Sequence, residues 1–139
     1  MNELMEAFEI ACTKFNGANF RELDEADQVL LTIWGLEGDV NNGGFDQYYF
    51  NSSGNQAFFA PYALQKIGAS EMAKIVADAN NVFGPNGPPQ ERAVRQIFLR
   101  AITKYRAEPW ANLDRAFYSY PNDVSSLLVN YLRLNSKHA

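Results

Sequence analysis

The sequence predicts an all-α fold: a single compact domain of seven to eight helices arranged as an irregular array. Three observations lead there. Apolar residues recur at three- and four-residue intervals through most of the chain. No segment sustains an alternation of period two, and β-branched residues do not cluster. Short runs of Gly, Pro and Asn cut the helical pattern into pieces, yet none is long enough to act as a linker between domains. With 139 residues and 47 % hydrophobic content, one domain has enough apolar surface to bury a core.

Leu4, Phe8, Ala11, Cys12 and Phe15 share one face and predict a helix over 3–15, which Asn16-Gly17 ends. Asp24 is placed to cap a second helix whose apolar face is Val29, Leu30, Ile33 and Trp34. Asn41 to Gly44 breaks the chain, and a short helix over about 45–51 follows. Phe58 to Ile67 reads as a helix with Pro61 in its first turn, and Ser70 is the expected cap of the next one. That helix turns Ala73, Val76, Ala79 (or Asn80) and Phe83 inward. After the loop GPNGPP, the residues Val94, Ile97, Phe98, Ala101, Ile102 and Tyr105 form the clearest apolar stripe in the chain. A helix over 110–119 and a last one from Asp123, with Val124, Leu127, Leu128, Tyr131 and Leu132 on its apolar face, complete the array.

Composition excludes several functions. No apolar run approaches the ~20 residues of a membrane span, and the acidic N-terminus is unlike a signal peptide. A lone Cys12 forms no internal disulfide, which fits a reducing compartment, and a cytoplasmic location is expected. Cys12 itself reads as a core residue. One histidine, His138, stands next to the end of the chain, so neither a zinc site nor a histidine-based triad is expected, and no metal or cofactor. GPNGPP lacks the Lys-Ser/Thr of a phosphate-binding loop. Arg92, Arg95, Arg100, Lys104 and Arg106 are read as a solvated helix face. A pI near 4.9 argues against direct binding of nucleic acid.

Charge is distributed unevenly. Residues 1–46 hold ten acids against Lys14 and Arg21, a net of -8, whereas residues 47–139 hold six acids and ten bases, a net of +4. An acidic surface facing a positively charged partner is the functional reading; carboxylates complementing helix dipoles are the plain one. Glu37, Asp39 and Asp46 bracket NNGGFDQYYFN at 41–51, where an acid–base pair is conceivable but chance proximity explains the residues as well. Within the motif, Phe45, Tyr48 and Tyr49 are expected to pack between helices. Gly43 and Gly44 allow a sharp reversal, and Asp46, Gln47 and Asn51 bond to loose helix ends.

The segments VNNGGFDQYYFNSSGNQAFFAPYALQKIGA, ASEMAKIVADANNVFG and LDRAFYSYPNDVSSLLVNYL, in that order, resemble a small bacterial all-helical domain family of long-unassigned function that includes a DNA-mimic protein. The resemblance covers about residues 22–134 and leaves the helix over about 3–15 as an addition. Its motif residues here are Asn42, Gly43, Gly44, Phe45, Asp46, Gln47, Tyr48 and Asn51, with a structural role expected. The resemblance implies a helical fold, no enzyme activity, no cofactor, and inhibition of a DNA-binding protein by carboxylates set out as phosphates are.

The acids available for that are Glu3, Glu6 and Glu9, extended by Asp24, Glu25 and Asp27 if the two helix starts lie together. The function read from the sequence is therefore a non-enzymatic protein-binding module that meets a basic, DNA-binding protein. One alternative is an inhibitor or immunity-type partner of a basic toxin. Another is a small enzyme using carboxylates near Asp46 under a roof of Tyr48 and Tyr49. Phe58, Phe59 and Tyr62 suit either a homodimer contact or core packing.

Overall fold

In the computed structural model, which describes residues 3–135, seven α-helices make the fold among the described residues: α1 (Glu3–Asn16), α2 (Glu25–Phe50), α3 (Ala60–Lys66), α4 (Ser70–Asn81), α5 (Arg92–Tyr105), α6 (Ala111–Tyr118) and α7 (Val124–Asn135). Two 3₁₀ turns, Phe20–Glu22 and Ser52–Gln56, join them. His138 lies outside the described residues. α2 is the central element. It packs against α1, α3, α5, α6, α7 and the second 3₁₀ turn, while α4 closes the other side on α3 and α6. Val29, Leu30, Ile33, Leu36 and Val40 are buried along it. Each such side chain contributes roughly 1.5–3 kcal/mol by leaving water.

Asn41 to Gly44 interrupts α2 more sparingly than the sequence suggests. Only Gly43 (φ -154°, ψ 19°) and Gly44 (φ 75°, ψ -176°) leave helical geometry, and the helix resumes at once through Phe50. The expected separate helix is thus the second limb of a kinked one. A kink interrupts the backbone ladder, and α6 takes up the loosened groups. The Tyr118 hydroxyl donates to Val40 C=O at 2.8 Å, and Phe45 N–H donates to Asp114 Oδ1 at 2.8 Å. Asp114 caps the second limb from 69 residues away.

Around this kink sits an aromatic cluster. Phe45 stands edge-on to Phe117 (5.7 Å), and Tyr49 contacts Phe83 (4.8 Å) and Trp110 (5.1 Å). Such ring pairs add about 0.5–1.5 kcal/mol each beyond area burial. Most of its polar edges are satisfied inside it, the buried Tyr48 hydroxyl excepted. Tyr49 donates to Asn80 Oδ1, Asn80 donates to Ala57 C=O, and the Trp110 indole donates to Ala79 C=O.

Helix ends match the expected positions better than the expected chemistry. Asp24 stands at the N-cap of α2 without a side-chain capping bond, and Ser70 is already inside α4, its hydroxyl bonded to Gln65. Asp123 does cap α7, accepting from Ser126 N–H and from its hydroxyl. Pro61 falls in the first turn of α3, as its missing N–H requires.

The largest departure from expectation concerns α5. Its apolar stripe is not its buried face: Val94, Ile97, Phe98, Ala101 and Tyr105 are exposed, and Arg95 and Leu99 are buried instead. Cys12 is only half-buried beside α2, its thiol pushed up by burial and by Glu9.

Candidate functional site

The six acids that the sequence singles out lie on α1 and at the start of α2. Phe8 stacks on Trp34 (4.3 Å), and Lys14 pairs with Asp27 (3.0 Å), so the two helices run antiparallel. The helix starts therefore do not lie together; the end of α1 meets the start of α2. Glu3, Glu6 and Glu9 occupy the first part of α1, and Asp24, Glu25 and Asp27 stand near its far end, a span of ~21 Å for 14 residues at ~1.5 Å each. Glu3, Glu6, Glu9, Asp24 and Glu25 are exposed and Asp27 is half-buried. Glu6 and Glu9 fall on the side of α1 opposite the buried Ala11.

Cations of the same chain meet three of these acids. Arg133 on α7 holds Glu3 through two nitrogens (2.8 and 3.1 Å) and draws its carboxyl below the usual range. Lys14 pairs with Asp27, and Lys66 lies 3.9 Å from Glu25, which also accepts from the Tyr62 hydroxyl.

The motif residues are placed quite differently. Phe45, Tyr48 and Tyr49 are fully buried. Gln47 and Asn51 both donate to Asp39 Oδ1 (2.9 and 3.0 Å), and Asn42 donates to Gln47, which ties the two limbs of α2 across the kink. Gly44 is required twice. Its φ of +75° favours glycine, and a Cβ there would lie 2.7 Å from the Asp114 carboxylate. Tyr48 and Tyr49, being buried, do not roof a cleft over Asp46, which corrects that arrangement. Asp46 points outward.

The residue that locks the motif is Arg95, which is not on a solvated face: its relative exposure is 0 %. The guanidinium donates to Tyr49 C=O (2.7 Å), Asn51 C=O (2.8 Å), Asn55 Oδ1 (3.0 Å), Gln90 C=O (2.8 Å) and Pro89 C=O (3.1 Å). All five acceptors are neutral oxygens: the Tyr49 carbonyl in the last turn of α2, the Asn51, Pro89 and Gln90 carbonyls of irregular backbone, and the Asn55 amide. Gly54 makes room for it, since a Cβ would stand 2.8 Å from Arg95 Nε and 2.7 Å from Tyr48 C=O. Burial pulls the guanidinium below its ordinary value, with the neighbouring Arg92 adding to the effect. Periodicity did not reveal this residue. The readable signal was a donor-rich side chain closely following two stretches with no regular bonding of their own.

Carboxylates do converge near the kink, but of the expected three only Asp46 is among them. Asp46 and Asp114 line a shallow pocket of about 270 Å³ with Arg106, Glu108 and Trp110. Burial raises the Asp114 carboxyl, Phe45 N–H lowers it, and Asp46 raises it further. Glu37 is half-buried, is raised by burial, and accepts from Tyr120 (2.7 Å), away from that pocket. Asn41 donates to the same Tyr120 oxygen, and burial pushes that phenol up to about 12. Glu37 is thus a carboxylate held in a hydrogen-bonded strut between α2 and the end of α6.

Phe58 and Tyr62 are about half exposed (48 % each), and Phe59 packs edgewise on Phe20 beneath them. Among the described residues no helix is long and apolar enough to cross a membrane.

No curated protein and no solved structure matches the chain. Residues 21–135 match the model of the family described as DMP19-like protein, a family of DNA-mimic type, and begin just after α1. The chain belongs to the DMP19-like family.

Proposed function

We propose that this chain is a non-enzymatic protein-binding module of the cytoplasm, and that it acts as a DNA mimic. In this reading the carboxylates of α1 and the start of α2 occupy the nucleic-acid site of a basic DNA-binding protein. The supporting observation is the placement of six acids along ~21 Å of two antiparallel helices, five of them exposed. One strand of duplex DNA presents a phosphate every ~3.4 Å of axis, about six over that length, so the count suits one strand rather than both. The ion pairs of Glu3 and Glu25 are on the surface, where water and a cationic partner compete with them readily, and the Lys14 end of the Asp27 pair is exposed. A partner's Lys and Arg side chains take the place of Arg133, Lys66 and Lys14. Family membership supports the mimic class.

The test is affinity capture from native lysate at low and high salt, with a variant carrying E3Q, E6Q, E9Q, D24N, E25Q and D27N beside the wild type. A basic DNA-binding protein retained by the wild type at low salt, lost from the variant, and displaced by duplex DNA is the expected result. Equal retention by both proteins contradicts the reading. Retention of a basic toxin that duplex DNA does not displace favours an inhibitor of the immunity type.

A further inference from the structure

α5 presents a surface that the acidic face does not explain. At ~100° per residue, Arg95, Leu99 and Ile102 form its inner face. Val94, Phe98, Ala101 and Tyr105 run beside that face as a continuous apolar strip, and Ile97 borders the strip on its outer side. Exposure along it is large: 37 % for Val94, 61 % for Ile97, 46 % for Phe98 and 80 % for Tyr105. Scattered apolar residues on a surface are ordinary, but one strip spanning the length of a helix calls for an account. Next to Ile97 stand Arg100 and Lys104, both exposed, and the helix from Arg92 to Tyr105 contains no carboxylate.

We propose that α5 is the docking surface for an acidic amphipathic helix of a protein partner, its apolar side on the Val94–Tyr105 strip and its carboxylates on Arg100 and Lys104. Charge complementarity selects this occupant. A second copy seated through its own α5 brings the same cations and no acid. In an antiparallel two-fold pairing the two Arg100–Lys104 ridges would face each other, and like charges so placed repel. Nucleic acid is poorly served as well. Arg95 is buried, and Arg92 is turned onto Phe50, donating to its C=O at 2.9 Å with the guanidinium over its ring. Two cations beside an apolar strip are too few to follow a phosphate backbone. A helix laid in such a strip reads it through anchors at i, i+3, i+4 and i+7.

A labelled synthetic helix of about 20 residues, with Leu at heptad a and d and Glu at e and g, is the probe; the same peptide with Lys for Glu is the control. Fluorescence anisotropy is expected to show binding of the Glu peptide and none of the Lys peptide. Ile97→Asp, and separately Arg100→Glu with Lys104→Glu, should each weaken binding by about tenfold or more while the far-UV spectrum is unchanged. Each of these side chains is exposed, so the variants are expected to fold. Equal binding of both peptides, or of neither, overturns the proposal. So does displacement of the Glu peptide by a single-stranded oligonucleotide. A wild-type dimer in sedimentation that Ile97→Asp dissociates would assign the strip to a second copy and overturn it equally.

Discussion

The acidic face and the GGFDQYYFN segment are both rich in polar side chains, and the structure treats them in opposite ways. Around the motif several polar groups are turned inward and satisfied: Arg95 by five neutral oxygens, Asp39 by two amides, Asp114 by the Phe45 N–H. On α1 and the start of α2 all the carboxylates but the half-buried Asp27 face water, and their cations are exposed partners of the kind that contribute little to stability. A buried donor left unmatched costs about 1–3 kcal/mol, whereas a surface ion pair lost costs about 1 kcal/mol or less. The motif therefore specifies the fold, and the acids of α1 and the start of α2 contribute little to it. Substitutions should separate the two regions sharply.

Arg95→Met should have the largest effect. It keeps an apolar stem but strands the carbonyls of Tyr49, Asn51 and Gln90, and we expect a loss of about 3–5 kcal/mol in urea unfolding. Arg95→Lys should recover only part of this, since an ammonium cannot span the same fork of acceptors. A cost below about 1 kcal/mol would show that the turn and loop carbonyls find water instead.

Gly44→Ala should cost about 1–3 kcal/mol, because its φ is +75° and its Cβ would crowd the Asp114 carboxylate. The neighbouring tyrosines sharpen the same point. Tyr49→Phe removes a donor from buried Asn80 and should cost about 1–2 kcal/mol. Tyr48→Phe should be neutral or stabilising, as the Tyr48 hydroxyl is buried and has no hydrogen-bond partner among the described residues. Equal effects at the two positions would contradict this assignment of bonds.

A smaller effect should appear with pH. The folded-state pKa of Glu37 is raised above its ordinary 4.5, so the folded chain holds its proton to higher pH than the unfolded chain does. Stability then falls as pH rises from about 4.5 through the raised value, and remains lower above it. Asp114 acts in the same direction, while Glu3 and Glu71, whose pKa values are lowered, act in the opposite one. Glu37→Gln does not titrate. Relative to wild type it should gain in urea midpoint as pH rises through that window, with the difference smallest in acid.

The all-helical class, the packing of Phe45, Tyr48 and Tyr49, the first-turn Pro61 and the start of the last helix near Asp123 were legible in the sequence, because each rests on residues a few positions apart. What was not legible depends on distant chain. Asp114 reaches Phe45 across 69 residues, and Arg95 reaches Tyr49 across 46. The strip on α5 shows the limit of periodicity. Spacing gives the width and direction of an apolar face but not whether anything covers it, and here the covered face is the adjacent one, built on an arginine. The acidic face was legible as residues and not as geometry. Its two groups of carboxylates occupy opposite ends of α1 because α1 and α2 are antiparallel.

The most direct test is displacement by duplex DNA of whatever basic protein the acidic face captures, measured with the wild type and the sixfold-neutralised variant side by side. The account predicts capture by the wild type alone, release by duplex DNA, and an unfolding midpoint for the variant close to that of the wild type. If the variant captures the same protein, or if duplex DNA fails to release it, the carboxylates of α1 and α2 are not the phosphate-like surface proposed for them.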